Sequence, residues 1–190
     1  MTALPKTKIH SPEEYLALED VCEYRSEYVN GYIHQMAGGS ESHIQISFNA
    51  TKVLSEKLRG KCRAYQSEMK VWIEDEGTFF YPDVTLVCGE RKFHRNRNDI
   101  VENPILLVEV LSKSTEEYDK NDKFFTYQKI ESFQEYVLIS QNQPAVQQYI
   151  RQANGEWKYK ATIGLESKGL LESVNTEISL EDIYDLVEFE

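Results

Sequence analysis

Residues 104–111 read Pro-Ile-Leu-Leu-Val-Glu-Val-Leu, so a carboxylate, Glu109, stands inside a run that is otherwise apolar. Bounded by Asn103-Pro104 and a serine-rich turn at 112–114, this run reads as a strand buried on both faces. An unpaired buried charge is costly, so it neutralises, pairs or binds a metal. The chain offers Glu109 two partners. One is Asp83, in Tyr81-Pro82-Asp83-Val84-Thr85-Leu86-Val87-Cys88, a second apolar strand; the other is Lys123, on the helix that follows. Two carboxylates on neighbouring strands plus a lysine can build a divalent-metal hydrolase site. Carboxylate oxygens are hard ligands suited to Mg²⁺. Such a metal stabilises charge on a scissile phosphate and lowers the pKa of a bound water. A nearby lysine can orient that water or stabilise the developing negative charge.

The elements around these residues must bring them together. From Glu109 to Lys113 the chain advances about 13 Å at strand rise. From Ser114 to Lys123 it advances about 13.5 Å at helix rise. A helix folding back on its strand therefore brings Lys123 level with Glu109, and the i,i+4 series Asp119, Lys123 and Tyr127 shares one face. Ser114-Thr115-Glu116-Glu117 reads as a capping box that starts this helix, which is expected to run to about Ile130. Three strands are expected before it, near 62–73, 81–88 and 105–111, with a turn at 74–78 and a longer loop at 91–103. A fourth, Glu135–Ile139, follows it. A helix this long can cross over between parallel strands at 105–111 and 135–140.

Upstream, Ser11-Pro12-Glu13-Glu14 starts a short helix. Residues 27–34 alternate around Asn30-Gly31 as a tight hairpin, which Gly38-Gly39-Ser40 ends. From Ser42, Ile44, Phe48, Thr51, Leu54 and Leu58 recur at helical spacing up to Gly60. Downstream, Val146–Arg151 and Trp157–Thr162 are strand-like, joined by a turn at Asn154-Gly155, and a capped helix starts at Ser179. The expected fold is mixed α/β (α+β): an αβββαβ core at about 42–140 with a mixed central sheet flanked by helices. An N-terminal helix and hairpin at 11–37 and a C-terminal β extension with a short helix at 145–188 complete one domain of 190 residues.

Composition narrows the class. No apolar stretch is long enough to span a membrane, and the N-terminus lacks a secretory signal. The cysteines Cys22, Cys62 and Cys88 are odd in number and widely spaced, and are expected as reduced core thiols in a cytoplasmic protein. The four histidines lack zinc-ligand spacing, and neither a P-loop nor G-x-G-x-x-G is present. A net charge of −11 argues against a broad basic face that coats nucleic acid. It leaves room for a local patch, and Arg91, Lys92, Arg95 and Arg97 form the one dense basic run, either a nucleic-acid contact or a solvated loop.

Taken in order, these residues resemble the Uma-two restriction-endonuclease family. The likeness is carried by Tyr81-Pro82-Asp83, by Val108-Glu109-Val110-Leu111-Ser112-Lys113-Ser114-Thr115, and by Tyr118-Asp119-Lys120-Asn121-Asp122-Lys123 with Tyr127. It extends to Arg25-Ser26-Glu27-Tyr28-Val29-Asn30-Gly31, Met36-Ala37-Gly38-Gly39, His43, Pro104 and Glu135-Tyr136, across roughly 22–187. The resemblance implies the restriction-endonuclease-like PD-(D/E)XK fold, with Asp83 and Glu109 as its acids and metal ligands, Mg (or Mn) as cofactor and DNA as substrate. The lysine of that motif usually stands two residues after the second acid, where this chain has Leu111; the resemblance implies that Lys123 takes its part. Glu27 becomes a third acid by the same likeness, and His43, Ser112, Asp119 and Tyr127 are further candidates near the site. A homodimer paired through the strands after 145 is expected, because two sites must face two antiparallel DNA strands. The alternative is a catalytically inactive module of the same fold that binds nucleic acid or a protein partner, which the acidic balance and Leu111 favour.

Overall fold

A computed structural model describes residues 9–113 and 115–189 of the chain. Helix α1 (Pro12–Glu19) is held by a reciprocal cap: the Ser11 hydroxyl accepts from the Glu14 N–H (3.1 Å), and the Glu14 carboxylate accepts from the Ser11 N–H (3.0 Å). The hairpin β1 (Ser26–Val29) and β2 (Tyr32–Gln35) turns at Asn30-Gly31. Their φ values of 51° and 88° are those a primed turn requires.

Helix α2 (Glu41–Lys57) buries only the C-terminal part of the expected stripe, Leu54 with Leu58 just beyond the helix. Ile44 and Phe48 are 59% and 51% exposed, and Ile46, Asn49, Ala50 and Val53 are buried in the first part of the helix. Two stripes recur at helical spacing on this helix, and the neighbours choose between them. Asn49 is drawn inside because its amide donates to the carbonyls of Ile183 (3.1 Å) and Asp185 (2.8 Å).

Next come β3 (Cys62–Gln66), β4 (Lys70–Ile73), β5 (Thr78–Phe80), β6 (Val84–Cys88), β7 (Ile100–Val101) and β8 (Leu106–Leu111). The single strands expected at 62–73 and 81–88 are thus corrected. The first is interrupted after Gln66, and the second keeps only 84–88 in strand form, its expected start falling in the 81–83 link after β5. Pro82 lies in that link and has no N–H to give a ladder. Part of the expected 91–103 loop is β7, which runs parallel to β4.

Helix α3 follows in three stretches: Glu116–Tyr118, a π-pitched Asp119–Lys123, and Phe124–Tyr127. Its regular part stops at Tyr127 rather than near Ile130, and Gln128–Ile130 close it as a turn. The capping box expected at Ser114 lies outside the described residues. Beyond α3 come β9 (Glu135–Ser140), β10 (Ala145–Arg151), β11 (Trp157–Ile163), the hairpin β12 (Lys168–Leu171) and β13 (Thr176–Ser179), and α4 (Leu180–Ile183). Ser179 stands at the N-cap of α4 but makes no side-chain cap bond, contrary to expectation.

The main sheet has six strands in the order β11-β10-β9-β8-β6-β3, and a second has five in the order β2-β1-β5-β4-β7. β8 and β9 are parallel, joined by the α3 crossover; every other pair in the main sheet is antiparallel. The expected αβββαβ order is realised by α2, β3, β6, β8, α3 and β9.

Strand alternation separates two cores. Leu106, Val108 and Val110 of β8 pack with α2, while Leu107 and Leu111 pack with Phe124 and Tyr127 of α3. Glu109 therefore belongs to the α3 face. The expectation of three reduced thiols is overturned, because Cys62 and Cys88 are joined by a disulfide. They are directly opposed on the antiparallel pair β3–β6, with Cα atoms 4.0 Å apart, close enough to bridge without moving the backbone. Cys22 is free and exposed.

Candidate active site

Register places the two acids together. Val84 pairs with Val108, and continuing that antiparallel register by one position sets Asp83 opposite Glu109. β6 has ended at that point, so the Asp83 side chain does what the ladder would have done. Its Oδ2 accepts the Val110 N–H at 2.7 Å. Its Oδ1 meets His43 Nε2 at 2.8 Å, and the Ser47 hydroxyl donates to its backbone carbonyl at 3.3 Å. His43 and Ser47 are one turn apart at the start of α2, so the helix clamps Asp83 from one side. Burial lowers the His43 pKa, but the hydrogen bond and charge of Asp83 outweigh it, and the net shift is upward. Gly39 makes room for that ring, since a Cβ there would come within 2.9 Å of His43 Cδ2.

Glu109 is 4% exposed and well supplied with donors. Its Oε1 accepts from the Tyr127 hydroxyl (2.9 Å) and from Lys123 Nζ (3.2 Å); its Oε2 faces the Asp83 N–H at 3.4 Å. Burial pushes its pKa well up, the Lys123 ammonium opposes that, and the charges of Asp119, Asp83 and Glu27 add to the rise.

Lys123 lies at the centre of the acids. Its ammonium is 3.0 Å from Glu27 Oε1, 3.2 Å from Glu109 Oε1 and 3.3 Å from Asp119 Oδ1. The contact with Glu27 is an ion pair, not an aligned hydrogen bond from the carboxylate's side, since Glu27 Oε1 has no hydrogen-bond partner of good geometry. The rings of Phe80 and Tyr118 flank the ammonium at 5.6 and 5.7 Å. Burial alone would lower the lysine pKa, but Glu109, Glu27 and Asp119 drive it well above its ordinary value. Asp119 and Lys123 both lie in the π-pitched stretch 119–123 and are both buried. Leu111, in the usual lysine position, is packed in the apolar core of the α3 face.

The residues expected at the site divide clearly. Asp83, Glu109, Lys123, Glu27, His43, Asp119 and Tyr127 form one connected cluster. Ser112 bonds the hydroxyl and N–H of Thr115 and so ties the turn before α3. Of the basic run, Arg95 pairs with Glu13, and Arg97 pairs with both Asp20 and Asp99. Arg91 lies over the Phe93 ring, and the Lys92 backbone N–H bonds Asn103. Two of those four cations thus fasten the loop to the fold. Sequence reasoning missed Phe80 and Tyr118 as walls of the ammonium site. The signal for Tyr118 was its place just before Asp119 on the helix that carries Lys123.

A cation held by Asp83 and Glu109 fits the chemistry of the cluster. Three carboxylates, those of Glu27, Glu109 and Asp119, surround Lys123, and Asp83 stands beside Glu109; burial does most to lift the Glu109 pKa, and the neighbouring negative charges add to the rise. Among the described residues no three His, Cys, Asp or Glu side chains are arranged as a complete metal-binding group. Mg²⁺ does not need one; it is held by one or two carboxylates and keeps several waters or substrate oxygens.

Comparison with known proteins gives a consistent picture. The model of the Uma2 family, described as "Putative restriction endonuclease", matches residues 12–181. Two uncharacterized proteins of Synechocystis sp. (strain ATCC 27184 / PCC 6803 / Kazusa) are similar over most of their length. One is 35% identical over 165 residues, covering 86% of this chain and 93% of the relative; the other is 34% identical over 178 residues, covering 92% and 90%. The crystal structure of a protein from Anabaena variabilis, described as a "putative nuclease belonging to DUF820", superposes with a TM-score of 0.75. It covers 94% of this chain and 99% of that one, and at 18% identity it speaks for the fold alone.

Proposed function

Because this chain belongs to the Uma2 family of restriction-endonuclease-like proteins, we propose that it is a metal-dependent endonuclease that hydrolyses DNA phosphodiester bonds at the Asp83–Glu109 centre. The single observation that carries the reading is the meeting of these two acids, one in the link just before β6 and one in β8, beside one buried ammonium. Mg²⁺ or Mn²⁺ held by Asp83 and Glu109 would supply Lewis-acid stabilisation of the phosphate and a more acidic bound water.

The chain's own groups do the rest. His43 and the Val110 N–H hold the Asp83 carboxylate in one orientation. Tyr127 does the same for Glu109. Lys123 works as a fixed positive charge facing the negative charge that develops on phosphate oxygens. Its raised pKa keeps the proton on nitrogen at neutral pH, which argues against a role as general base. In the reaction a water oxygen bonds to phosphorus and gives up a proton to solvent, one ester P–O bond breaks, and the leaving oxygen takes up a proton from solvent. Leu111 in the apolar core does not count against activity, since Lys123 reaches Glu109 from α3.

The test is cleavage of duplex, single-stranded and branched DNA in Mg²⁺ or Mn²⁺, with calorimetry of metal binding alongside. Wild type is expected to cut. Asp83→Asn and Glu109→Gln are expected to lose both cutting and metal binding while keeping the fold. Wild type that binds no metal and leaves every substrate intact, or variants that cut as well as wild type, would overturn the reading.

A further inference from the structure

Two residues on from Lys123, about 200° round the helix, α3 presents Phe125 to solvent. There the turn that ends α3 and the β10–β11 hairpin enclose a concavity of about 430 Å³, lined by Phe125, Gln128, Lys129, Arg151, Gly155 and Trp157. Arg151 and Trp157 are directly opposed across β10 and β11, and the guanidinium lies 5.0 Å over the indole. Arg151 also donates to the Gln128 carbonyl, which fixes the fork. Behind the indole, the rings of Phe124 and Phe133 stand 5.1 and 5.4 Å away and hold it in place. Phe125 is 64% exposed. No ion pair among the described residues engages Lys129 or Arg151, although the chain carries a net charge of −11.

Two unneutralised cations beside an exposed phenyl ring and a pre-set indole suit a ligand with an anion at one end and a flat aromatic ring at the other. We propose that this concavity is a nucleotide-binding site, taking a base against Phe125 and the Arg151–Trp157 stack and a phosphate against Lys129 and Arg151. Stacking gives affinity without sequence preference, because every base has a π-face. An arginine over an aromatic ring adds charge-assisted recognition of the phosphate. The site lies on the flank of α3 opposite the acid cluster, so the inference goes beyond the cleavage reading and does not depend on it.

Titration with 2′-deoxyadenosine 5′-monophosphate, read by tryptophan emission and by calorimetry, tests the proposal. Trp72 is 9% exposed, so quenching reports Trp157, and Trp157→Phe should abolish it. Saturable binding is expected, with deoxyribose 5-phosphate, which lacks the base, weaker by about tenfold or more. Phe125→Ala and Lys129→Ala, both at exposed positions, should each weaken binding by a similar factor without shifting the melting temperature. Glu109→Gln should leave it unchanged, which separates this site from the cleavage centre. Absence of saturable binding at millimolar nucleotide, equal binding of the base-free sugar phosphate, indifference to Phe125→Ala, or loss in Glu109→Gln would each overturn the proposal.

Discussion

Removing the Lys123 ammonium should destabilise the protein in a way that depends on pH. At an effective dielectric constant of about 20, unit charges about 3.2 Å apart attract by about 5 kcal/mol. Lys123 has three such partners, Glu27, Glu109 and Asp119. Desolvation of the buried charges and repulsion among the acids offset most of that gross attraction, and breaking a buried pair typically costs about 3–5 kcal/mol. For a domain of this size that corresponds to a fall in melting temperature of about 6–20 °C.

The pH profile identifies the cause. Glu109 already has a raised pKa, and loss of the opposing ammonium raises it further. A carboxyl with a raised folded pKa favours the fold below its unfolded pKa, and that contribution is lost as pH rises through the folded value. In Lys123→Met the loss should thus be smallest near pH 4.5 and grow as pH rises towards 8. In the wild type, Lys123 keeps its contribution up to about pH 10.5, because its own pKa is raised. Thermal melts followed by circular dichroism at pH 4.5, 6 and 8 measure this. The double variant Lys123→Met/Glu109→Gln should recover much of the loss at pH 8, since it leaves one fewer unpaired buried charge. A Lys123→Met protein as stable as wild type at pH 8, or a loss that does not change with pH, would refute the reasoning.

Three other outcomes follow from the same contacts. Tyr127→Phe removes one donor to Glu109 and should cost about 1.5–3 kcal/mol by urea unfolding, with an unchanged m-value. Cys88→Ser, or reduction of the wild type, opens the loop closed by Cys62–Cys88 and should lower stability by about 3–4 kcal/mol on chain-entropy grounds; equal melting with and without reductant would exclude the bond. Arg97→Ala should cost about 1 kcal/mol at neutral pH and progressively less as pH falls below about 4. The Arg97 guanidinium holds Asp99 well below the usual carboxylate range, so that contribution is present above the unfolded carboxyl pKa and lost in acid. Acid titrations of both proteins that run parallel would count against it.

Much of the centre was written in local order. A lone Glu in an apolar strand had to be buried and needed a partner. Strand and helix rises placed Lys123 level with Glu109, and their ion pair is 3.2 Å long. The i,i+4 series that brought Asp119 and Tyr127 along rested on the same periodicity. The αβββαβ order was legible because each element is set by nearby residues: caps, turn pairs and apolar spacing.

What periodicity by itself could not supply depends on partners far away in the chain. Glu27 meets Lys123 only because the β1–β2 hairpin joins β5 in the second sheet. His43 meets Asp83, forty positions away, through the docking of α2. Ile44 and Phe48 looked like core, but only Leu54 and Leu58 of their stripe are buried, while Asn49 reaches the carbonyls near α4. Cys62 and Cys88 gave no signal of their own until register set them face to face. Sequence periodicity determines which side of an element is apolar and how far along it a residue lies; it carries no term for which other element will cover that side. That choice is made by the packing of the whole chain, and here it decided how three acids came to surround one lysine.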